Sequence, residues 1–378
     1  MRSVVALTRE LVQIETINPP GQEAGAADLV ARRLEAAGLE VMVHELAAGR
    51  PSLVARWPGS GDGPSLCLTA HLDTVPLGGA EWTRDPLGGE IDGDRLYGRG
   101  SSDMKAGLAA IVVAAERVAA LGRGSAGLEL VLCAGEETGC DGALALVRDG
   151  MLGDAGAVLV AEPTSNYPCV AHKGVVWLEA STAGKTAHGS MPELGRNAVY
   201  PLARAVGALE SLRFDVAPHA LLGEPTLNLG TIRGGQNINS VPDSALAGID
   251  VRTVPGMSGG EVRARVAEAL GPEVRVEERL ALDAIDTDSS DPWVREVYEV
   301  LEPLIGEAAE PRGLAYFTDA AALSPAYGSP PTVICGPGDA DQAHRTDESC
   351  SIARLEAAEE AFFDIARRWC GLQPQERP

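Results

Sequence analysis

Residues 128–137 read LELVLCAGEE, an apolar run of strand length that closes on a glycine and two adjacent glutamates. A short apolar run with polar bounds is the pattern of a buried strand. The same pattern recurs on both sides of it. SLCLTA (65–70) leads into His71, AVLVAE (157–162) ends on Glu162, and PTVICGPG (331–338) leads toward His344. Between the first two runs lies MKAGLAAIVVAAERVAAL (104–121), a strong helical pattern. Ala26–Ala37 also reads as helix, Glu40–His44 and Ser52–Trp57 as strands, and 351–370 as a closing helix. Strands separated by helices predict an α/β fold with a mostly parallel sheet flanked by helices. In open α/β sheets, ligands bind beyond the carboxyl ends of the strands. Side chains able to hold a metal stand at those ends here, so the pattern points to a site as well as a fold.

The middle of the chain has a different character. VVWLEASTAGKTAHGS (175–190) and TLNLGTIRGGQNINSVPDSALAGIDVR (226–252) alternate polar and apolar residues in part. NAVYPLARAVGALESL (197–212) and GGEVRARVAEAL (259–270) read as helices. That order predicts a small α+β domain inserted into the first. Its edges fall near Gly174 and Asp286, so the outer domain takes 1–174 and 287–378 and the insert 175–286.

A chain of 378 residues is long enough for two domains. It is 45% hydrophobic and 22% charged, the profile of a folded enzyme. Its formal net charge of -23 repels phosphates, which argues against nucleic acid or an anionic membrane as a partner. The opening MRSVVALTRELVQIETINPPGQE carries charges at helical spacing and reads as an amphipathic helix, not a signal peptide. No apolar run approaches the length of a membrane span. Seven scattered cysteines with no CxxC pair predict reduced thiols and a cytoplasmic protein.

Each candidate residue has an ordinary reading beside its chemical one. In HLDTVP, His71 and Asp73 are two apart and point to one side of an extended segment. A metal-bound imidazole usually hands its other N–H to a carboxylate, so Asp73 fits as the orienting partner of His71; an incidental loop pair is the plain alternative. In GRGSSDMKAG, Asp103 stands where an N-cap is expected. A bridging carboxylate held by the glycines at 98, 100 and 107 could instead reach two cations about 3.5–4 Å apart. Glu136 and Glu137 are either a solvated acidic turn or a pair whose repulsion cations offset. In the second case Glu137 ligates and Glu136 takes a proton from water as general base. Glu162 precedes a proline and His344 follows a Gly/Pro-rich loop; each alone reads as a surface residue.

The ordered set HLDTVP, GRGSSDMKAG, GEETG, AEPT, KTAHGSMP and GPGDADQAH resembles the zinc-dependent aminoacylase, acetylornithine deacetylase, succinyl-diaminopimelate desuccinylase and carboxypeptidase G family. The likeness covers nearly the whole chain. It implies a catalytic α/β domain with an inserted lid that often dimerises. It implies two zinc ions, with cobalt or manganese as substitutes: one on His71, Asp103 and Glu162, the other on Asp103, Glu137 and His344. It implies hydrolysis of the amide bond of an N-acyl amino acid or a short peptide. The runner-up reading is a carboxypeptidase or dipeptidase of the same fold, and a non-catalytic binding homologue is the reading from another class. By the same resemblance His188 looks like the lid histidine that reaches the partner subunit's site and stabilises the oxyanion. Asn239 and Arg252 look like substrate binders on the lid, and an Arg fork suits a carboxylate. Thr318 and Asp319 occupy a segment that varies with substrate. His172 and Lys173 lie near a position where some members carry a basic substrate-binding residue.

Overall fold

The computed structural model of the chain describes residues 2–373. They fall into two compact units. The first comprises residues up to Ala171, Asp286–Arg312 and those from Thr318 onward; the second comprises His172–Ile285 and Gly313–Phe317.

The first unit is built on a six-stranded sheet. In spatial order its strands are Glu40–Ala47, Arg50–Trp57, Leu128–Cys133, Ser65–His71, Ala155–Val160 and Thr332–Ile334. The last four run parallel, and the first two form an antiparallel hairpin along one edge. Leu128–Cys133 is buried at every position. That is why five of its six residues are apolar where a half-exposed strand would alternate; the sixth, Glu129, is buried with them. The helix Ala106–Ala120 is apolar nearly all round for the same reason and is buried along most of its length. It packs with Ser3–Val12 and Ile352–Trp369; Asp141–Arg148 packs with Ala320–Ala326; both groups lie against the sheet. The mostly parallel sheet flanked by helices is the architecture expected from the sequence, with boundaries shifted by a few residues.

Register places the functional end. His71 pairs with Cys133, Thr69 with Val160, and Val160 with Ile334. Four parallel strands therefore finish level with one another. The residues that follow (Glu136, Glu162 and the loop toward His344) leave the sheet from a single edge.

The second unit is a four-stranded antiparallel sheet in the order Thr226–Gly234, Ser244–Thr253, Gly174–Ala183, Arg275–Leu282. The chain visits it as strand, helix, strand, strand, helix, strand. Val176, Leu178 and Ala180 alternate inward and meet Ile249, Val251, Leu202, Val262 and Val266 in one core. The helix Gly259–Leu270 starts with a capping box: Ser258 Oγ accepts from Glu261 N, and the Glu261 carboxylate accepts from Ser258 N at 3.2 Å. All seven cysteines are buried and unpaired. Among the described residues no helix is long and apolar enough to cross a membrane.

Candidate metal centre

His71 is the last residue of its strand and is almost wholly buried. Its Nε2 stands 3.2 Å from Asp103 Oδ1 and 3.9 Å from Glu162 Oε1. Across the same carboxylate, His344 Nε2 stands 3.4 Å from Asp103 Oδ2 and 3.1 Å from Glu137 Oε2. Two donor groups result: His71, Asp103 and Glu162, and Asp103, Glu137 and His344, each with its donor atoms within 4.8 Å of one another. Asp103 belongs to both.

The donor set fits divalent ions. Atoms round a tetrahedral zinc with bonds of about 2.0–2.2 Å stand roughly 3.4 Å apart. The separations found run from 3.1 to 3.9 Å. Imidazole nitrogen with carboxylate oxygen is a borderline-hard set that also accepts cobalt or manganese.

The electrostatics follow from four carboxylates and two imidazoles in a dry place. Burial first, then Asp103, pushes the Glu162 carboxyl well above the ordinary range. Burial first, then Glu162, does the same to Glu136, and burial with Asp103 raises Glu137. Asp103 goes the other way. Burial opposes its charge, but hydrogen bonds with His344 and His71 outweigh that and hold it below the usual carboxylate range. Its hydrogen bond, followed by that of Glu137, lifts His344 to about 10. Anions crowded in low dielectric hold cations strongly. A metal must displace imidazole protons to bind, so affinity rises with pH.

Asp73 behaves differently from the sequence expectation. His71 Nδ1 meets the main-chain carbonyl of Asp73 at 3.0 Å, whereas the Asp73 carboxylate is 3.7 Å away. That carboxylate is spent elsewhere: it accepts from Asn18 Nδ2 at 2.9 Å, from Glu136 N at 3.1 Å and from Glu137 N at 3.3 Å. Asp73 thus orients the imidazole with its backbone and fixes the Glu136–Glu137 turn with its side chain. A two-residue offset cannot distinguish the two oxygens.

Thr318 and Asp319, in the segment expected to contact substrate, are both buried. Thr318 Oγ1 accepts from Ala320 N at 3.2 Å, at the start of Ala320–Ala326. Burial pushes the Asp319 carboxyl up to about 6, with the Cys133 and Cys140 thiols beside it. His172 is buried, bonded through Nδ1 to the Lys173 carbonyl at 2.9 Å, and burial lowers its pKa to about 4. Lys173 donates to the Glu224 carbonyl at 2.5 Å.

Within the second unit, His188 and Asn239 are neighbours. Gly189 N donates to Asn239 O at 2.7 Å, and His188 bridges to Ser240. Both are exposed, and His188 Nδ1 lies 2.7 Å from Ser190 Oγ. Arg252 is at the other end of the sheet, paired with Asp250 at 3.0 Å and stacked 5.1 Å over the Phe317 ring. Ser244 and Arg252 are the register partners of Ala183 and Val175, so the strand separates them by roughly 26 Å at about 3.3 Å per residue.

Among the buried charged residues that the sequence did not single out as candidates, Arg99 and Glu348 pair at 2.7 Å, nearly inaccessible to solvent. The signal was there in outline: an arginine between two glycines, and a glutamate four residues past His344.

Comparison with known proteins bears on this centre. The family model described as peptidase family M20/M25/M40 matches residues 67–368. The chain is 32% identical over 387 residues to an acetylornithine deacetylase from Edwardsiella ictaluri, covering 97% of this chain and 98% of the relative. It is 29% identical over 378 residues to a probable succinyl-diaminopimelate desuccinylase from Staphylococcus epidermidis, covering 91% and 92%. Among solved structures, an M20 family metallo-carboxypeptidase from Sulfolobus solfataricus shares the fold, with a TM-score of 0.79 at 19% identity over 98% of this chain and all of that one.

Proposed function

Given that the chain belongs to the M20/M25/M40 peptidase family, we propose that it is a two-zinc deacylase that cleaves the amide bond of N-acyl amino acids. At the coarser level it is a metal-dependent hydrolase of amide bonds, related to acetylornithine deacetylases and desuccinylases. The observation that supports two metals is the shared carboxylate, one oxygen of Asp103 facing His71 and the other His344; the N-acyl substrate rests on the likeness to the deacetylase and desuccinylase relatives.

His71, Asp103 and Glu162 would hold one ion, and Asp103, Glu137 and His344 the other. Ions so held supply Lewis acidity at the carbonyl and make a nucleophile available from water near neutral pH. Glu136 belongs to neither donor group and is buried, with its carboxyl raised. It takes the proton of the attacking water and hands it to the leaving nitrogen. Arg252 binds the substrate carboxylate with its fork, and His188 donates to the oxyanion. His188 and Arg252 sit at opposite ends of one sheet. A small substrate held by Arg252 therefore takes its His188 from a second copy, which makes the second unit a lid and dimerisation domain at about 175–286. The buried, unpaired thiols suit a reducing cytoplasmic setting.

The test is a hydrolysis panel of N-acetylornithine, N-succinyl-diaminopimelate and dipeptides. Wild type should turn over an N-acyl amino acid faster than any dipeptide; the reverse order makes it a peptidase. Glu136→Gln should lose at least about 10²-fold in kcat while keeping its metal. Mixed with His188→Ala chains under subunit exchange, it should regain part of the activity. A mixture as inactive as its components contradicts the shared site.

A further inference from the structure

Glu348 carries more hydrogen bonds than any ligand it neighbours. Its Oε1 accepts from Ser102 N at 2.8 Å and Asp103 N at 3.0 Å. Its Oε2 accepts from Gly100 N at 2.9 Å and Arg99 Nη1 at 2.7 Å. Arg99 in turn donates from Nη1 to the Arg345 carbonyl at 3.1 Å and from Nη2 to the Pro76 carbonyl at 3.2 Å. One buried ion pair thus holds three loops: the one that follows His71, the one that bears Asp103, and the one that bears His344.

We propose that the Arg99–Glu348 pair is a positioning device that sets the bridging Asp103 carboxylate and thereby couples the two metal-binding groups. The proposal rests on the two-metal reading above. Stability alone does not account for such a pair, because removing two charges from water costs about as much as their attraction returns. What the pair supplies is geometry. A carboxylate with four donors cannot turn, and it clamps the main chain at Asp103 itself. The arginine fork then ties that clamp to the flanking loops, so a shift in any one loop is felt at Asp103. Since Asp103 serves both groups, loosening the clamp must weaken both together. The pair between Arg56 and Glu129 makes the contrast. Glu129 is as buried and bonds Arg56 Nε at 2.6 Å, yet its other partners are Gly153 N and the Tyr327 hydroxyl, none of them in a loop bearing a ligand.

The experiment is calorimetric titration of the metal-free full-length chain with Zn²⁺, read beside the visible spectrum of the Co²⁺-loaded protein. Wild type should show two binding events. Glu348→Gln should weaken both by about 10–100-fold, the usual effect of disturbing a ligand's support, and should alter the cobalt spectrum. Glu129→Gln should bind both ions as wild type does, even where it lowers the melting temperature. Arg99→Lys keeps the charge but loses the fork, and should show a smaller loss in the same direction; it decides the matter if Glu348→Gln does not fold. Unchanged affinities and spectrum in the variants, or loss of a single event, would overturn the proposal. Absence of metal binding by wild type would instead overturn the two-metal reading.

Discussion

Glu136 and Glu137 are neighbours in sequence with different surroundings. Glu137 faces His344 at 3.1 Å, whereas Glu136 is held through its backbone by Asp73 and belongs to neither donor group. The chain carries a second contrast of this kind in its histidines. His344 is lifted by carboxylates and His172 is depressed by burial. His172 gives a prediction with a definite sign. Its folded pKa of about 4 lies below the unfolded value of about 6.5. Between those values only the unfolded chain binds the proton, so stability falls as pH drops through that window. The loss attributable to this residue approaches about 3 kcal/mol at the low end. Denaturant unfolding at pH 7 and pH 4.5 should show a smaller drop for His172→Gln than for wild type. Equal drops would mean the imidazole is not held neutral.

At the scale of elements, the site depends on how closely the Ala106–Ala120 helix approaches the strand that ends before Glu162. A Cβ on Gly107 would lie 2.0 Å from the Ala161 carbonyl oxygen. Gly107→Ala must push the helix start, and Asp103 with it, away from Glu162. It should cost about 1–3 kcal/mol by overpacking and weaken metal binding, both measurable by thermal unfolding with and without Zn²⁺. Unchanged stability would show that the contact is slack. The strands that lead to His71, Glu136 and Glu162 could be read from the sequence because burial on both faces leaves a mostly apolar run, broken by Glu129 in one of them, with an abrupt polar end. Arg275–Leu282 could not: it is an edge strand of RVEERLAL whose charges face water, so no hydrophobic pattern marks it. Asp73 shows the finer limit. Its residue type and spacing pointed to His71, but which of its oxygens does the work is set by the turn the backbone takes.

At the scale of the molecule, the order of motifs along the chain marked the family, and three of the motifs, those of His71, Glu137 and Glu162, stand at the ends of buried strands. Contacts that join distant segments stayed hidden. Arg99 and Glu348 lie 249 residues apart, and Gly313–Phe317 joins the second unit from outside the inserted stretch. Neither has a local pattern to betray it. The first ties together the loops after His71, at Asp103 and at His344, and the second carries the Phe317 ring under Arg252. We infer that Asp103 is a ligand common to two metal ions. Zinc titration of the metal-free chain, read for stoichiometry, separates this from a one-ion site. Two ions per wild-type chain are expected, one for Glu162→Ala, one for His344→Ala and none bound tightly by Asp103→Ala. An Asp103→Ala chain that keeps either ion at wild-type affinity, or a wild-type chain that saturates at one, would contradict it.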